Sequence, residues 1–522
     1  MTRRTTSPRA RHLSHLVVAA MLGVVAFALV LAATDPPGPG LDPDAMAYMG
    51  AAESLAAGAG YRVPAAGWRS ADSTAALTHF PPGYSTALAL PIRLGMAPPR
   101  APRLVNATAA AVTITVVVLL VSLSTTLVAG ALLGLALLVM PAMELVHLSV
   151  LSEPLFLACV ALTLAAMVHP RGGSVAVGIA AAAGALTRYA GVALIGAGVL
   201  WAFAERGSLA VRLRRAAMTL LPAVLLEGAW MIRTARLHEP AEIRHFALYG
   251  RLGPTLAQGG ATIRDWLVPD PGAWSDPMPY RPALALAASL VVIALLSMGG
   301  DRALQHERAR ASMDWRALPI DLATRVLAAC GLLALCYLGM LVASRLFADP
   351  GIPFDERILA PFLLLASVGI ATATALWWRA TRRVLPRIAL GVALSCWWVA
   401  SATTTGHDVG YALDWGSDFA GEQWRRSEVL DWARTAGQSH PLYTNWPAAL
   451  YFHLHRASRS VPLTKDSTDL PAFVAAVRAT NGRVLMFSVA DVDYLTRASL
   501  LRQRGFRIIA ELGDGVVLDA AP

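Results

Sequence analysis

Leu41-Asp42-Pro43-Asp44-Ala45-Met46-Ala47-Tyr48 follows closely on the chain's first long apolar run, residues 15 to 34, and His79-Phe80-Pro81-Pro82-Gly83-Tyr84 stands further along the same polar loop. A helix needs about 20 apolar residues to cross the hydrocarbon core, and the first run meets that need. Similar runs recur near residues 104 to 123, 125 to 141, 150 to 168, 174 to 204, 214 to 232, 283 to 299, 321 to 343, 357 to 377 and 387 to 403. The stretch 174 to 204 is too long for one straight span and carries Thr187-Arg188-Tyr189 at its middle, so it reads as two short helices meeting at the membrane surface. The expected fold class is mainly α: a polytopic membrane protein with about eleven transmembrane helices.

Composition agrees. Over 522 residues, 56% are hydrophobic and 15% charged, with mean hydropathy +0.52, which sets the chain apart from soluble proteins. The net charge of +10 is placed in alternate loops: Arg3, Arg4, Arg9 and Arg11; Arg206, Arg212, Arg214 and Arg215; Arg302, Arg308, Arg310 and Arg316; Arg379, Arg382, Arg383 and Arg387. By the positive-inside rule these loops face the cytoplasm, which puts the N-terminus inside a plasma (inner) membrane. Contact with anionic membrane lipids accounts for the charge, and no nucleic-acid partner is called for. With an odd number of spans, residues 35 to 103 and the segment after 404 fall together on the extracytoplasmic side. The four cysteines, Cys159, Cys330, Cys336 and Cys396, all lie in expected spans and lack the spacing of a zinc or redox motif.

The segment from 404 onward changes character. Residues 418 to 437 are charged and helical in pattern, 441 to 445 and 483 to 489 read as strands, and Gly513-Asp514-Gly515 reads as a hairpin turn. Two domains are expected: a transmembrane part, 1–403, and a small extracytoplasmic α/β domain, 404–522.

The extracytoplasmic loops concentrate the chemistry. Asp44 precedes Tyr48 by four residues, and Gly58-Ala59-Gly60-Tyr61 follows. In this arrangement the chain resembles the GT-C superfamily of polyprenyl-phosphate-sugar-dependent glycosyltransferases, which includes the protein O-mannosyltransferases and the lipid A aminoarabinose transferases. The resemblance implies that Asp44 is the catalytic base that takes the proton of a hydroxyl acceptor. The competing reading is that Asp42 and Asp44 cap a helix starting near Ala45, and Asp42 stays open as the alternative base. Leu151-Ser152-Glu153-Pro154-Leu155-Phe156 is similar to a stretch of bacterial relatives and makes Glu153 a second active-site acid, against a plain first-turn acid favoured by the helix dipole. Leu186-Thr187-Arg188-Tyr189-Ala190-Gly191 and Asp355-Glu356-Arg357-Ile358-Leu359-Ala360-Pro361 resemble recurrent family motifs, and with His79 they supply the cations expected at the donor's phosphate. His79 stands where the aminoarabinose transferases carry a lysine. Snorkelling, or pairing with an acid such as Glu356, is the other reading of the arginines. Tyr48, Tyr84 and Tyr189 complete the candidate set. Tyr443-Thr444-Asn445-Trp446-Pro447, with Leu450-Tyr451 after it, resembles the tail of bacterial members.

The resemblance thus implies an inverting transferase moving a sugar from a polyprenyl-phosphate donor to a hydroxyl acceptor in the cell envelope. No cofactor is called for; His, Cys, Asp and Glu show no ligand spacing, and a divalent metal ion stays open. A lipid or glycan transporter would place ionisable groups at mid-membrane in repeated, broken helices, and a non-catalytic assembly protein would leave Asp44 as a cap. Here the acids and bases gather on one face.

Overall fold

A computed structural model describes residues 8–169, 173–237, 247–250, 252–269, 281–311, 321–462, 469–488 and 505–520. Arg3, Arg4, Arg316 and Val489 lie outside the described residues. Each apolar run named above is helical. The chain begins with α1 (Pro8–Ala33), then the first loop with α2 (Pro43–Ala56), β1 (Arg62–Val63), β2 (Ala65–Ala66), β3 (Ala75–Ala76) and α3 (Gly83–Arg93). Next come α4 (Ala101–Ser124), α5 (Leu127–Leu138), α6 (Pro141–Leu148), α7 (Glu153–Val168), α8 (Ser174–Thr187), α9 (Val192–Ala204) and α10 (Leu209–Arg236). The bundle closes with α11 (Gly253–Leu267), α12 (Arg281–Ala311), α13 (Leu322–Phe347), α14 (Glu356–Ala380) and α15 (Val384–Trp415).

Among the described residues, α1, α4, α13, α14 and α15 are long and apolar enough to cross a membrane, and α5 with α6 makes a sixth if that pair, bent by 61°, is one span. The eleven expected spans are therefore not all of crossing length. At 1.5 Å per residue, α8 and α9 reach only about 20 Å each, short of a hydrocarbon core of about 30 Å. They meet where the sequence suggested, with Arg188 extended between them and a 3-10 turn over Tyr189–Gly191.

Arginines tie the helix ends together by donating to carbonyls that a helix terminus leaves open. Arg103, at the start of α4, donates to Leu31 O at 2.8 Å, and Arg325, at the start of α13, donates to Met167 O and Val168 O at the end of α7. Arg325 is held in turn by Glu205 at 2.5 Å. Close packing fixes the site end of the bundle. Gly83, at the N-terminus of α3, lies so near the Leu186 carbonyl that a Cβ would sit 2.6 Å from it, so no larger residue fits between the first loop and α8.

The expected domain boundary at 404 falls inside α15, which runs on to Trp415 and stops only at Gly416, whose φ is +77°. Beyond it lie α16 (Glu422–Arg425), α17 (Glu428–Thr435), β4 (Leu442–Thr444), α18 (Pro447–Leu454), β5 (Ser458–Ser460), α19 (Leu470–Ala479), β6 (Arg483–Phe487), β7 (Phe506–Leu512) and β8 (Gly515–Ala520). The strands form a sheet in the order β2-β5-β4-β6-β8-β7, parallel from β2 to β6 and antiparallel beyond, with the β7–β8 hairpin turning at Gly513-Asp514. The edge strand β2 comes from the first loop. Arg459 reinforces that junction by donating to Ser70 O at 2.9 Å and to Ala71 O, so the first loop and the C-terminal segment share one structure.

Candidate active site

Asp42 and Pro43 start α2: the Asp42 carboxylate accepts the Asp44 N–H at 3.0 Å as the helix cap, and Pro43 occupies a position where its missing N–H costs nothing. The helix thus begins two residues earlier than Ala45. This cap does not exhaust the pair. Arg357, in the first turn of α14, places its guanidinium among three carboxylates: Nη2 lies 2.5 Å from Asp44 Oδ2, Nη1 lies 3.3 Å from Asp42 Oδ2, and Nε donates to Glu153 Oε1. Arg188 reaches the same Glu153 oxygen at 2.5 Å. Residues 42, 44, 153, 188 and 357 therefore form one continuous ion-pair network.

Its interior is buried and its rim is partly exposed. The Glu153 side chain is 1% exposed, Arg188 16% and Arg357 21%, whereas Asp42 is 29% and Asp44 31% exposed. A buried carboxylate of this kind is tolerable only with its charge met by close cations, and here two guanidiniums meet it. Ser152 extends the network: its hydroxyl lies 3.1 Å from both the Tyr48 OH and Arg188 Nη1, and 3.3 Å from Glu153 Oε2. Tyr48 is 2% exposed and packs edge-on to Tyr84 at 5.1 Å. The Tyr84 OH donates to Asn106 Oδ1 at 2.9 Å, and Asn106 Nδ2 donates to Ser149 O at 2.7 Å, pinning the turn that presents Ser152 and Glu153. Burial raises both phenols, so they act as neutral hydrogen-bonding groups. Loss of solvent pushes the Asp42 carboxyl up to about 6; Arg357 opposes the shift, while Asp44 and Asp418 add to it.

His79 stands apart from these contacts. It is exposed and edge-on to Phe80 at 4.7 Å, and the Phe80 ring in turn lies 4.8 Å from that of Tyr48. Tyr189 ties two other elements: its OH lies 3.4 Å from Thr78 O in the first loop and 3.4 Å from Trp230 Nε1 on α10. Sequence reasoning passed over Ser152 as a contact, together with Asn106 and Asp418. Asn106, a polar residue inside an apolar span, was the one carrying a visible signal.

Beside the network a cavity of about 470 Å³ opens between α3, α7, α8 and α10. Leu155, Cys159, Ala183, Leu186 and Leu226 give it an apolar wall, and Tyr61, Trp230 and Arg233 lie at its polar edge. Arg233 stacks over the Trp230 ring at 4.5 Å and donates to Leu77 O at 2.9 Å. Leu155 and Thr187 line this cavity; Glu153, two residues before Leu155, and Arg188, next after Thr187, belong to the network. Glu227 is not among the lining residues. Among the described residues, no group of three or more His, Cys, Asp or Glu is arranged to hold a metal ion.

No family model matches the chain, and no curated protein matches it. Solved structures do. The arabinofuranosyltransferase AftD from Mycobacteria superposes on 100% of this chain and 42% of its own, with 14% identity and a TM-score of 0.54. ArnT from Cupriavidus metallidurans, in the apo state, covers 96% of this chain and 98% of its own at 16% identity and TM-score 0.48. The archaeal oligosaccharyltransferase AglB from Archaeoglobus fulgidus, in complex with an inhibitory peptide and a dolichol-phosphate, covers 91% of this chain and 69% of its own at 13% identity and TM-score 0.49. These neighbours are GT-C membrane glycosyltransferases, and the superposition on AftD shows that this multi-pass chain shares the fold of that part of AftD.

Proposed function

We propose that this chain, with its GT-C fold, is an inverting glycosyltransferase that takes a sugar from a polyprenyl-phosphate donor and passes it to a hydroxyl acceptor at the outer face of the membrane. The observation that supports the reading is a part-apolar cavity, lined by Leu155 and Thr187, close in the chain to the ion-pair network of Glu153 and Arg188: the first isoprene units of a lipid tail suit the one, and its phosphate suits the other. Asp44 is the base. Its Oδ1 has no partner among the described residues, whereas both oxygens of Asp42 are engaged. The acceptor oxygen attacks the anomeric carbon as its proton passes to Asp44, and the bond from that carbon to the phosphate oxygen breaks with its electron pair leaving on the phosphate. Arg188 and Arg357 stabilise that charge, held in place by Glu153. His79, at the rim, meets the donor from the loop side.

Incubating membranes containing the protein with a panel of labelled polyprenyl-phosphate sugars tests the reading, and a complete absence of enzyme-dependent transfer across the panel would sink it. The cavity has its own test. Leu226→Trp should narrow it and raise the apparent KM for the donor at least about tenfold, because one leucine-sized apolar contact contributes about 1.5–3 kcal/mol. The maximal rate should hold, and an unchanged KM would place the tail elsewhere.

Since β2 pairs with β5, the first loop and the C-terminal segment lie on one side of the membrane. That side is proposed to be extracytoplasmic from the arginine pattern. Cysteines placed at Ala71 and Ser439 should both react with a membrane-impermeant maleimide in intact cells. Labelling only after the membrane is broken would invert the topology.

A further inference from the structure

We propose that donor binding at this site takes up a proton, that Asp42 receives it, and that Asp418 from the C-terminal segment is the positioning residue that sets the pH of the uptake. The proposal rests on the phosphate-binding reading above and adds to it a charge-compensation step.

An anionic ligand meets no spare cation in the network. Arg188 is engaged by Glu153, and Arg357 by Asp42, Asp44 and Glu153. Three carboxylates against two guanidiniums leave one negative charge in excess, so a phosphate enters a cluster that is already negative. Glu153 is buried and shared by both arginines. Asp44 is held at 2.5 Å, and Asp42 at 3.3 Å makes the longest of the contacts while keeping its other oxygen on the Asp44 N–H. Of the three Arg357 contacts, the one through Nη1 is therefore the one a phosphate oxygen can take over most readily. A proton on Asp42 removes the excess charge and loosens its hold on Nη1 together.

Asp418 is delivered to this corner by backbone pairing. The Leu41 N–H donates to Ser417 O at 3.5 Å and the Phe419 N–H to Leu41 O at 3.2 Å, on either side of Asp418. Its φ of +52° is a conformation that residues other than glycine seldom adopt. The carboxylate lies against Gly40, where an added Cβ would come 3.3 Å from Asp418 Oδ2. The charged groups around Asp42 are Arg357 from α14, with Glu153 of α7 behind it, Asp44 on α2, and Asp418 on the C-terminal segment. Burial is the largest influence raising the Asp42 carboxyl to about 6, Arg357 pulls it back, and the two neighbouring acids add to the rise. Asp418 is thus a lever on that value without touching the ligand.

The test uses the full-length protein in detergent and the monomethyl ester of undecaprenyl phosphate, a diester that holds a single charge between about pH 5 and 8. Binding should be level below about pH 6 and weaken above it, approaching about tenfold per pH unit as one proton is required per ligand. Calorimetry at pH 7 in buffers of different ionisation heat should count close to one proton taken up. Asp42→Asn should bind without pH dependence or proton uptake. Asp418→Asn should move the bend to lower pH, while Asp414→Asn, on the exposed end of α15, should leave it in place. Binding without proton uptake, the same bend in Asp42→Asn, or a bend unmoved by Asp418→Asn overturns the proposal and spares the phosphate reading. Failure of the ester to bind at any pH overturns both.

Discussion

Asp44→Asn should reduce sugar transfer by about 10²- to 10⁴-fold, the usual contribution of a positioned general base. The amide keeps the shape of the carboxylate and can still accept from Arg357 Nη2, and with one negative charge fewer in the network a polyprenyl-phosphate probe should bind at least as tightly as to the wild type. Proton affinity alone would favour Asp42 as the base, since a carboxyl near 6 is better matched to neutral pH. Geometry decides otherwise. Asp42 spends one oxygen capping α2 and the other on Arg357, whereas Asp44 offers an oxygen with no partner among the described residues. Asp42→Asn should therefore leave far more activity than Asp44→Asn. The measurement is the initial rate of transfer for the two variants at equal, folded protein concentration. Near wild-type turnover in Asp44→Asn, with loss in Asp42→Asn, would exchange their roles.

The sequence carries the helices because an apolar run and its charged ends are local signals. Residues 357 to 377 were readable as α14, and Arg188 as the break between α8 and α9, without any tertiary information. Site membership was legible only as a set of motifs. That Arg357 meets Asp44 across 313 positions of the chain is a product of packing, and no periodicity encodes it. His79 shows the converse: its motif lies in the right loop, yet its ring points to Phe80 and solvent rather than to the arginines. The strand pairing of β2 with β5 was equally invisible, since two-residue Ala65–Ala66 carries no strand pattern of its own. The last long helix outruns its apolar stretch because Thr403, Thr404, Thr405 and Gly406 weaken the apolar signal without stopping a helix, whereas Gly416 with its positive φ does stop it.

Glu153→Gln should be the most destabilising single change in the network. The native carboxylate is 1% exposed and lies against two guanidiniums, 2.5 Å from Arg188 Nη1 and in contact with Arg357 Nε. A neutral amide leaves both cations buried without that anion and with each other's charge to face. Removing one partner of a buried ion pair costs about 3–5 kcal/mol, so the protein should melt several degrees lower in detergent and lose transfer as the arginines shift. If charge rather than shape is responsible, then Arg188→Gln in the same chain should recover part of the loss, and the two changes together should cost less than their sum. The recovery separates this account from a general packing defect, because glutamine fills nearly the same volume as glutamate. Additive losses, or a Glu153→Gln variant that melts with the wild type, would mean that Ser152 already carries Arg188 and that Asp42 and Asp44 already carry Arg357, and the carboxylate would then be free for a direct part in the chemistry.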